Sequence, residues 1–535
     1  MSSAVRPDPR RLTRIGAQLL LASLLSACAV EPEPVDRMTV DARVDADLAA
    51  ILDAPPAQAV TLAEAIARSL KYNLDNRLKL MEVIVANDHL DLAQYDMLPR
   101  LALNAGYGYR DRRLASESRS ILTDRQSLEP STSQQQGLGT GDLETSWNIL
   151  DFGVSYLAAK QAADQVLISV ERQRKIVQNI VKDVRYAWYR MRSATRLTQE
   201  LNLLLDDLTA ARRDAQRIVD EGLRPRSDAL GYLRDLLDLE REMLALRRDL
   251  EEARIELSAL IGVAPGTEFA LNDGATLRLR PEQLHGYLET VPMEELRTYA
   301  LRSRAELIEE DYRTRIAERE VRKARLRMLP GIELYAGAHY NDNGFLVNQG
   351  WGLYGVRLTW NLLRAFSQPR AVRLAEDELR LAEVRRMALA MAVMTQVDVA
   401  ALRFLSAAET HELALAISEV NDALAQQQAR QVEARSGDAL SSLRTRARAM
   451  VARLRLDTAL ADYQDAAGQL VVSLGQDPVP LFDHGADLPT LTAEIEDYLS
   501  GDTLPTHEDE DRVGALRALE RRLDLDPFLA PRTDR

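Results

Sequence analysis

MLPRLALNAGYGYRD, Met97 to Asp111, returns 231 residues later as MLPGIELYAGAHYND, Met328 to Asp342, with eight of fifteen positions identical. A stretch repeated at such a spacing implies two copies of one structural unit. Its period says what the unit is. Leu101, Leu103, Ala105, Tyr107 and Tyr109 fall on one face of an extended strand, and Ala102, Asn104, Gly106, Gly108 and Arg110 on the other. The second copy keeps the rule, with Ile332, Leu334, Ala336, Ala338 and Tyr340 opposed to Glu333, Tyr335, Gly337, His339 and Asn341.

Working outward, each strand has a partner downstream. DLETSWNIL from Asp142 and LYGVRLTWNLL from Leu353 share a Trp-Asn pair, Trp147-Asn148 and Trp360-Asn361, and both alternate in polarity. Four strands of about ten residues with one apolar, aromatic-capped face have the length and pattern of transmembrane β-strands. Four such strands cannot stand alone in a bilayer, because their edges would leave backbone N–H and C=O groups unpaired in hydrocarbon. The missing strands must come from other copies of the chain, which makes the expected assembly an oligomer that closes a pore with its polar faces inward.

The segments flanking the strands are helical in pattern. TLAEAIARSLKYNLDNRLKL opens on Thr61 as N-cap with Glu64 three residues on, a capping box, and the pattern persists to Leu98, with an interruption expected at Asn73 to Asn76. After Gly153 no Gly or Pro appears until Gly222, room for 68 helical residues, or roughly 100 Å. In its second half Ile180, Val184, Ala187, Met191, Ala194, Leu197, Leu201, Leu204, Leu208, Ala211, Ala215 and Ile218 step by three and four. That is a heptad seam with one slip, so the helix is expected to coil against a neighbour. Gly222 and Pro225 break it, and a return helix ends at Ile261. The second half repeats the plan: an opening helix from Pro292 to Leu329, the strands, a Gly- and Pro-free run from Arg370 to Ser436, a turn at Gly437, and a return to Leu474. Between the first two strands, Arg112 to Gly141 reads as a polar loop, its GLGTG at Gly137 a flexible segment and not a phosphate cradle, since no helix follows it.

Composition agrees with long helices: 28% charged and 5% aromatic residues among 535. A net charge of −14 argues against nucleic acid as a partner, because the phosphate backbone would be repelled, and otherwise reads as simple solubility. Arg6, Arg10, Arg11 and Arg14 precede an apolar run from Ile15 to Leu25 that is too short to span a membrane, the order of an export signal. LSAC follows, ending on Cys28, the single cysteine. The acidic, Pro-containing stretch from Ala29 to about Val60 reads as a tether, everything after about His484 lies outside the repeat, and the stretch from Pro505 reads as a charged tail with at most one short helix. The six histidines lack metal-ligand spacing, and no nucleophile or phosphate motif stands in a suitable context, so no enzyme, metal or cofactor is expected.

In this order the residues resemble the TolC-like outer membrane efflux protein family. The matching elements are LAEAI (Leu62 to Ile66), the Leu-Pro pairs before the strands, the SW…DFG junction (Ser146 to Gly153), EGL…SDAL (Glu221 to Leu230), LSALIGV (Leu257 to Val263), RAEL (Arg304 to Leu307) and VSLG (Val472 to Gly475). The Asn-Pro usual in the family after the opening helix is Asn73-Leu74 here. LSAC resembles a bacterial lipobox, which implies cleavage before Cys28, acylation of its thiol and new amino group, and passage to the outer membrane.

The resemblance implies an α+β membrane protein. Its two internal repeats contribute four strands to a trimeric twelve-stranded β-barrel, and long helices to a coiled-coil α-helical barrel across the periplasm. On this plan residues 1–27 are a lipoprotein signal peptide, 28–60 an acylated tether, 61–291 the first repeat, 292–483 the second and 484–535 the tail. Family partners are two further copies, a periplasmic adaptor, an inner-membrane pump and outer membrane lipid. Adaptor hairpins in the family pack on the helix-turn tips, which map to Arg217, Gly222, Leu223, Ser227 and Asp228, and to Arg435, Ser436, Gly437 and Asp438; Gly222 and Gly437 fit helix C-caps equally well. Acidic rings restrict the pore near the entrance, making Glu433 and Asp438 candidates. The expected function is conduction of small molecules from a tripartite pump to the exterior. Secretion of an unfolded polypeptide through the same architecture and a non-conducting coiled-coil lipoprotein are the alternatives.

Overall fold

The computed structural model describes residues 34–52, 59–127, 129–222, 225–264, 267, 269–272, 281–434, 439–479 and 486–500. Cys28 and the expected signal lie outside them. Helix α1 (Arg37–Leu52) falls in a compact unit of its own, residues 1–55; its side chains from Arg37 to Ala49 are exposed, and it makes part of the expected tether a helix.

The second unit begins with β1 (Ala59–Val60), which pairs in parallel with β4 (Ala270–Leu271). Helix α2 (Leu62–Tyr72) starts where the capping box places it, with the Thr61 hydroxyl accepting from the Glu64 N–H at 3.1 Å. The chain breaks at Asn73, whose backbone is extended and whose side chain caps α3 (Leu74–Tyr95) through the N–H groups of Asp75 and Asn76. The interruption expected at Asn73 is therefore present without proline. Strands β2 (Arg100–Tyr109) and β3 (Gly137–Asn148) follow, then α4 (Ile149–Asp220) and α5 (Arg226–Leu260). Next come α6 (Pro281–Thr290), α7 (Met293–Ser303), α8 (Ala305–Leu326), β5 (Gly331–Asn341), β6 (Gly350–Thr359), α9 (Arg364–Glu433), α10 (Ala439–Leu474) and α11 (Leu488–Ser500).

Two expectations are corrected. GLGTG is strand, not loop: Gly137, Gly139 and Gly141 stand in register with Tyr109, Tyr107 and Ala105, and a Cβ on Gly137 would lie 2.5 Å from the Tyr107 hydroxyl. Glycine is used there because a tyrosine ring covers the backbone. The second opening helix is not continuous but breaks at Arg304, as the first does at Asn73. The cause is tertiary: Gly475, at φ +76°, presses its backbone against Ser303 and Arg304, where a Cβ would meet backbone atoms at 2.7 Å. Gly262, at φ +69°, packs against Tyr72 in the same way beside the first break. After His484, helix α11 is packed against α2, with Leu491, Ile495 and Leu499 buried in the main core, while the charged stretch from Pro505 lies outside the described residues.

Helix α9 starts at Arg364, ahead of the expected Pro369, which sits near enough to the N-terminus to cost one intrahelical bond. The seam on α4 is as expected. From Ile180 to Leu208 every named position is buried, Ala215 is too, and Ala211 and Ile218 are half-buried. It packs against α5 and α10 through Leu236, Met243, Leu250, Ala447 and Met450. A second core joins α7 to α9 and α10 around Leu296, Phe404, Ala467 and Leu470. Where the halves meet, Arg174 of α4 is bound by the Asp477 carboxylate at 2.7 Å and by the carbonyls of Gly475 and Ser303. A buried guanidinium satisfied on several sides fixes the junction.

Candidate functional site

The four long strands form one antiparallel sheet in the order β2-β3-β5-β6. The two pairings expected from sequence are present, and β3 pairs with β5 to join them. Along β5 the alternation is visible in exposure: Ile332, Leu334 and Tyr340 are exposed, while Glu333, Tyr335, His339 and Asn341 are half-buried. The apolar face is thus the outer one, and the polar side chains gather in the curve of the sheet. Leu101, Leu103, Tyr107, Tyr354, Val356 and Leu358 continue the outer face, all more than 65% exposed. On the polar face Arg357 lies 3.2 Å from Glu333 and over the Tyr335 ring, and Tyr335 covers Gly355. Higher up, His339 Nδ1 stands 2.7 Å from Asp142. Strands β2 and β6 close neither on each other nor on another element of the sheet.

A second exposed feature was missed by sequence reasoning. On α9, Leu413, Ile417, Val420 and Leu424 step by four, three and four, and all are exposed, as are Val384, Met387 and Met391. One stretch of this helix is apolar enough to pass for a membrane span, yet only 28% of that window is buried. The heptad steps were there to read. They mark a seam of the same kind as that of α4, without a partner among the described residues.

The hairpin tips are the third. Arg217, Gly222, Ser227 and Asp228 come together at the turn from α4 to α5: Gly222 has φ +64°, Arg217 pairs with Asp214, and the Ser227 hydroxyl reaches Asp228 at 3.2 Å. Gly222 therefore serves as a left-handed C-cap, with open space around it. Glu433 is the exposed last residue of α9. Leu223, Arg435, Ser436, Gly437 and Asp438 lie outside the described residues. Beyond the first tip, α5 and α10 part to form an open groove lined by Asp235, Asp238, Arg241, Glu242, Arg444 and Arg448, with Arg444 paired to Asp235. The groove had no sequence signal, because its two walls are over two hundred residues apart.

Between tip and sheet, α4 and α10 are joined by ion pairs, Arg446 with Asp207 at 2.6 Å and Arg453 with Glu200 at 2.7 Å, while Arg453 also reaches Asp422 of α9 at 2.9 Å. At the α7–α8 break, burial alone would push the Glu306 carboxyl up, but Arg304 and Lys175 outweigh it and hold it below the usual glutamate range. Each is a feature of packing, and no reacting group is drawn toward another.

Residues 69–263 match the family described as Outer membrane efflux protein. No curated protein matches the chain in sequence. Among solved structures, the CmeC outer membrane channel of Campylobacter jejuni is 13% identical with a TM-score of 0.60, covering 82% of this chain and 89% of that one. The MtrE outer membrane channel of Neisseria gonorrhoeae, solved in its open state, is 16% identical with a TM-score of 0.57, covering 78% and 89%. The outer membrane protein VceC of Vibrio cholerae is 15% identical, again at 0.57, covering 78% and 96%. At these identities the structures establish the fold, which extends over both sets of strands and long helices, while the sequence match rests on residues 69–263. The chain is thus similar in sequence to the Outer membrane efflux protein family over residues 69–263, and it has the fold of solved outer membrane channels.

Proposed function

We infer that three copies of this chain close into a duct, a twelve-stranded barrel in the outer membrane continued by a twelve-helix tube through the periplasm. The observation that carries the inference is the sheet itself, apolar on its convex face, polar within, and open at both β2 and β6. In hydrocarbon those two edges are tolerable only when each meets the other's counterpart on a neighbouring copy. The exposed α9 seam supplies the helical part of the same contact. Helices, strands and hairpin occur twice in the same order, so each copy behaves as two half-units and three copies give a quasi-sixfold tube.

The duct conducts passively, passing small molecules from a tripartite pump to the exterior. An adaptor packs on the tips around Arg217, Gly222, Ser227 and Asp228, and on the counterpart tip at Arg435 to Asp438, beside the groove between α5 and α10. Glu433 and Asp438 narrow the entrance. Acylated Cys28 adds a lipid anchor, each buried CH₂ contributing roughly 0.8 kcal/mol. The test is the mass of the complex after mild extraction from outer membrane, by light scattering corrected for detergent. Three chains per particle are expected, and a stable monomer overturns the duct.

A further inference from the structure

The apolar face of the sheet does not stop where the strands stop. Trp147 ends that face on β3, in register with Leu334 of β5, and from it an aromatic ladder runs down the first turns of α4. Phe152 meets Trp147 edge-on at 5.5 Å, Tyr156 stacks on Phe152 at 6.4 Å, and the Lys160 ammonium stands over the Tyr156 ring at 4.5 Å. Positions 152, 156 and 160 are four apart, which sets them on one face of the helix. All three are exposed, as is Trp147.

The second repeat carries the same arrangement where β6 leads into α9. Trp360, Leu362, Leu363 and Phe366 are between 55% and 81% exposed. Arg370 and Arg373 follow Phe366 by four and seven residues, on its face of the helix, and both are exposed. Lys160 comes thirteen residues after Trp147 and Arg373 thirteen after Trp360, so each repeat sets a cation at the same depth. Among the described residues none of the three cations has a carboxylate within ion-pair distance; Arg373 reaches only the Pro369 carbonyl of its own helix, at 3.3 Å. The nearby carboxylates are engaged elsewhere. Asp164 is buried against Arg315 and Arg319, Glu376 is held by Arg325 at 2.7 Å, and Asp377 by Arg380 at 3.2 Å. Asp151 precedes Phe152 by one residue and so lies about 100° round the helix from the ladder.

We propose that the ladder ending at Lys160, with its counterpart from Phe366 to Arg373, is a binding surface for anionic phospholipid of the periplasmic leaflet. The proposal rests on the duct reading, which puts the helices on that side. Ten tilted strand residues, Leu138 to Trp147, match a hydrocarbon band of about 25 Å. Trp147 then stands at its boundary, where tryptophan is favoured. Helical side chains lean toward the N-terminus, which brings the Lys160 ammonium back to the level of Tyr156, in the headgroup layer. The ring covers one side of the ammonium and leaves its other N–H groups for an anion. A zwitterionic headgroup offers a phosphate together with an ammonium that these cations repel, whereas the only charge of phosphatidylglycerol is its phosphate. Three copies set six such surfaces round the tube, where sheet becomes helix.

The full-length chain carrying Trp351→Phe is purified in detergent and its particle mass measured. It is then placed in vesicles of phosphatidylcholine and phosphatidylglycerol in which one or the other lipid is brominated. With Trp351 replaced and Trp188 buried, the rings open to quenching are Trp147 and Trp360. Quenching should show a preference for phosphatidylglycerol of roughly fivefold at low salt, lost in about 1 M KCl. Lys160→Gln with Arg370→Gln and Arg373→Gln should bring it to within about twofold of unity, while Lys160→Arg alone should keep it. The salt comparison needs none of these charge variants, so it stands if the triple substitution does not fold. Three-chain particles with no preference, or with one that survives high salt or the triple substitution, overturn the lipid surface and leave the duct standing. Particles that are not trimers, or tryptophans that neither lipid quenches, overturn the duct and the lipid surface with it.

Discussion

Two ion pairs stitch α4 to α10 on the tip side of the long helices, Arg446 to Asp207 and Arg453 to both oxygens of Glu200, with Arg453 also held by Asp422. In a duct that opens like an iris, the hairpins must part along this seam. The side chains are between 30% and 51% exposed, so each pair is a surface pair screened by salt, contributing about 0.3–1 kcal/mol. Changing Asp207→Asn and Glu200→Gln together removes about 1 kcal/mol per chain, and three chains that move together lose about 3 kcal/mol, or about a hundredfold in the closed-to-open ratio. The assay is single-channel recording of the purified trimer, with sensitivity of cells to large antibiotics as a second readout. Wild-type open probability in an intact trimer of normal helicity would refute the idea that these pairs hold the tube shut. Raising the salt should mimic the double variant in wild type and do little to the variant itself.

Two further outcomes test the packing that positions the tube. Gly475→Ala should cost roughly 2–4 kcal/mol, read as a fall in thermal midpoint, because a left-handed residue gains a Cβ against the backbone of Ser303 and Arg304; Gly222→Ala, left-handed but in open space, should cost only about 1 kcal/mol. Glu306, held below its usual range by Arg304 and Lys175 against the opposing effect of burial, contributes stability at neutral pH that is lost as the pH falls from the ordinary glutamate value through its own lower one. Acid unfolding of Glu306→Gln should accordingly show a shallower pH dependence in that window, and an unchanged slope would show that its ion pairs contribute nothing.

What could be read from sequence was what periodicity encodes. The α4 seam from Ile180 to Leu208 is buried position by position, and the two faces of β5 fall as alternation requires, because both patterns are local and repeat many times. What could not be read depends on residues far apart. Arg304 is an ordinary helix former, and its extended backbone comes from Gly475, brought against it by the return of α10. GLGTG has no polarity alternation to detect, and it is its pairing with β2 that makes it a strand, with Tyr107 over Gly137 and Asp342 against Gly139. Helix α11 is different, since Leu488, Leu491, Ile495 and Leu499 step by three and four and Asp487 caps the Thr490 N–H, signals hidden by the charge around them.

The same contrast explains why one chain is an unfinished object. The seam of α4 finds α5 and α10 within the chain and is buried, whereas the equivalent seam on α9, from Leu413 to Leu424, is exposed along with the convex face and both edges of the sheet. Exposed heptads alone could be covered by a coiled-coil partner in water, and an exposed sheet alone by lipid. Open β-edges beside a lipid-facing surface have no partner in either medium, because hydrocarbon offers no hydrogen bonds. In the duct proposed above, another copy presenting β6 to β2 and a helix to α9 in one contact would satisfy all three at once, which would make assembly into a closed ring a condition of stability before it is a condition of transport.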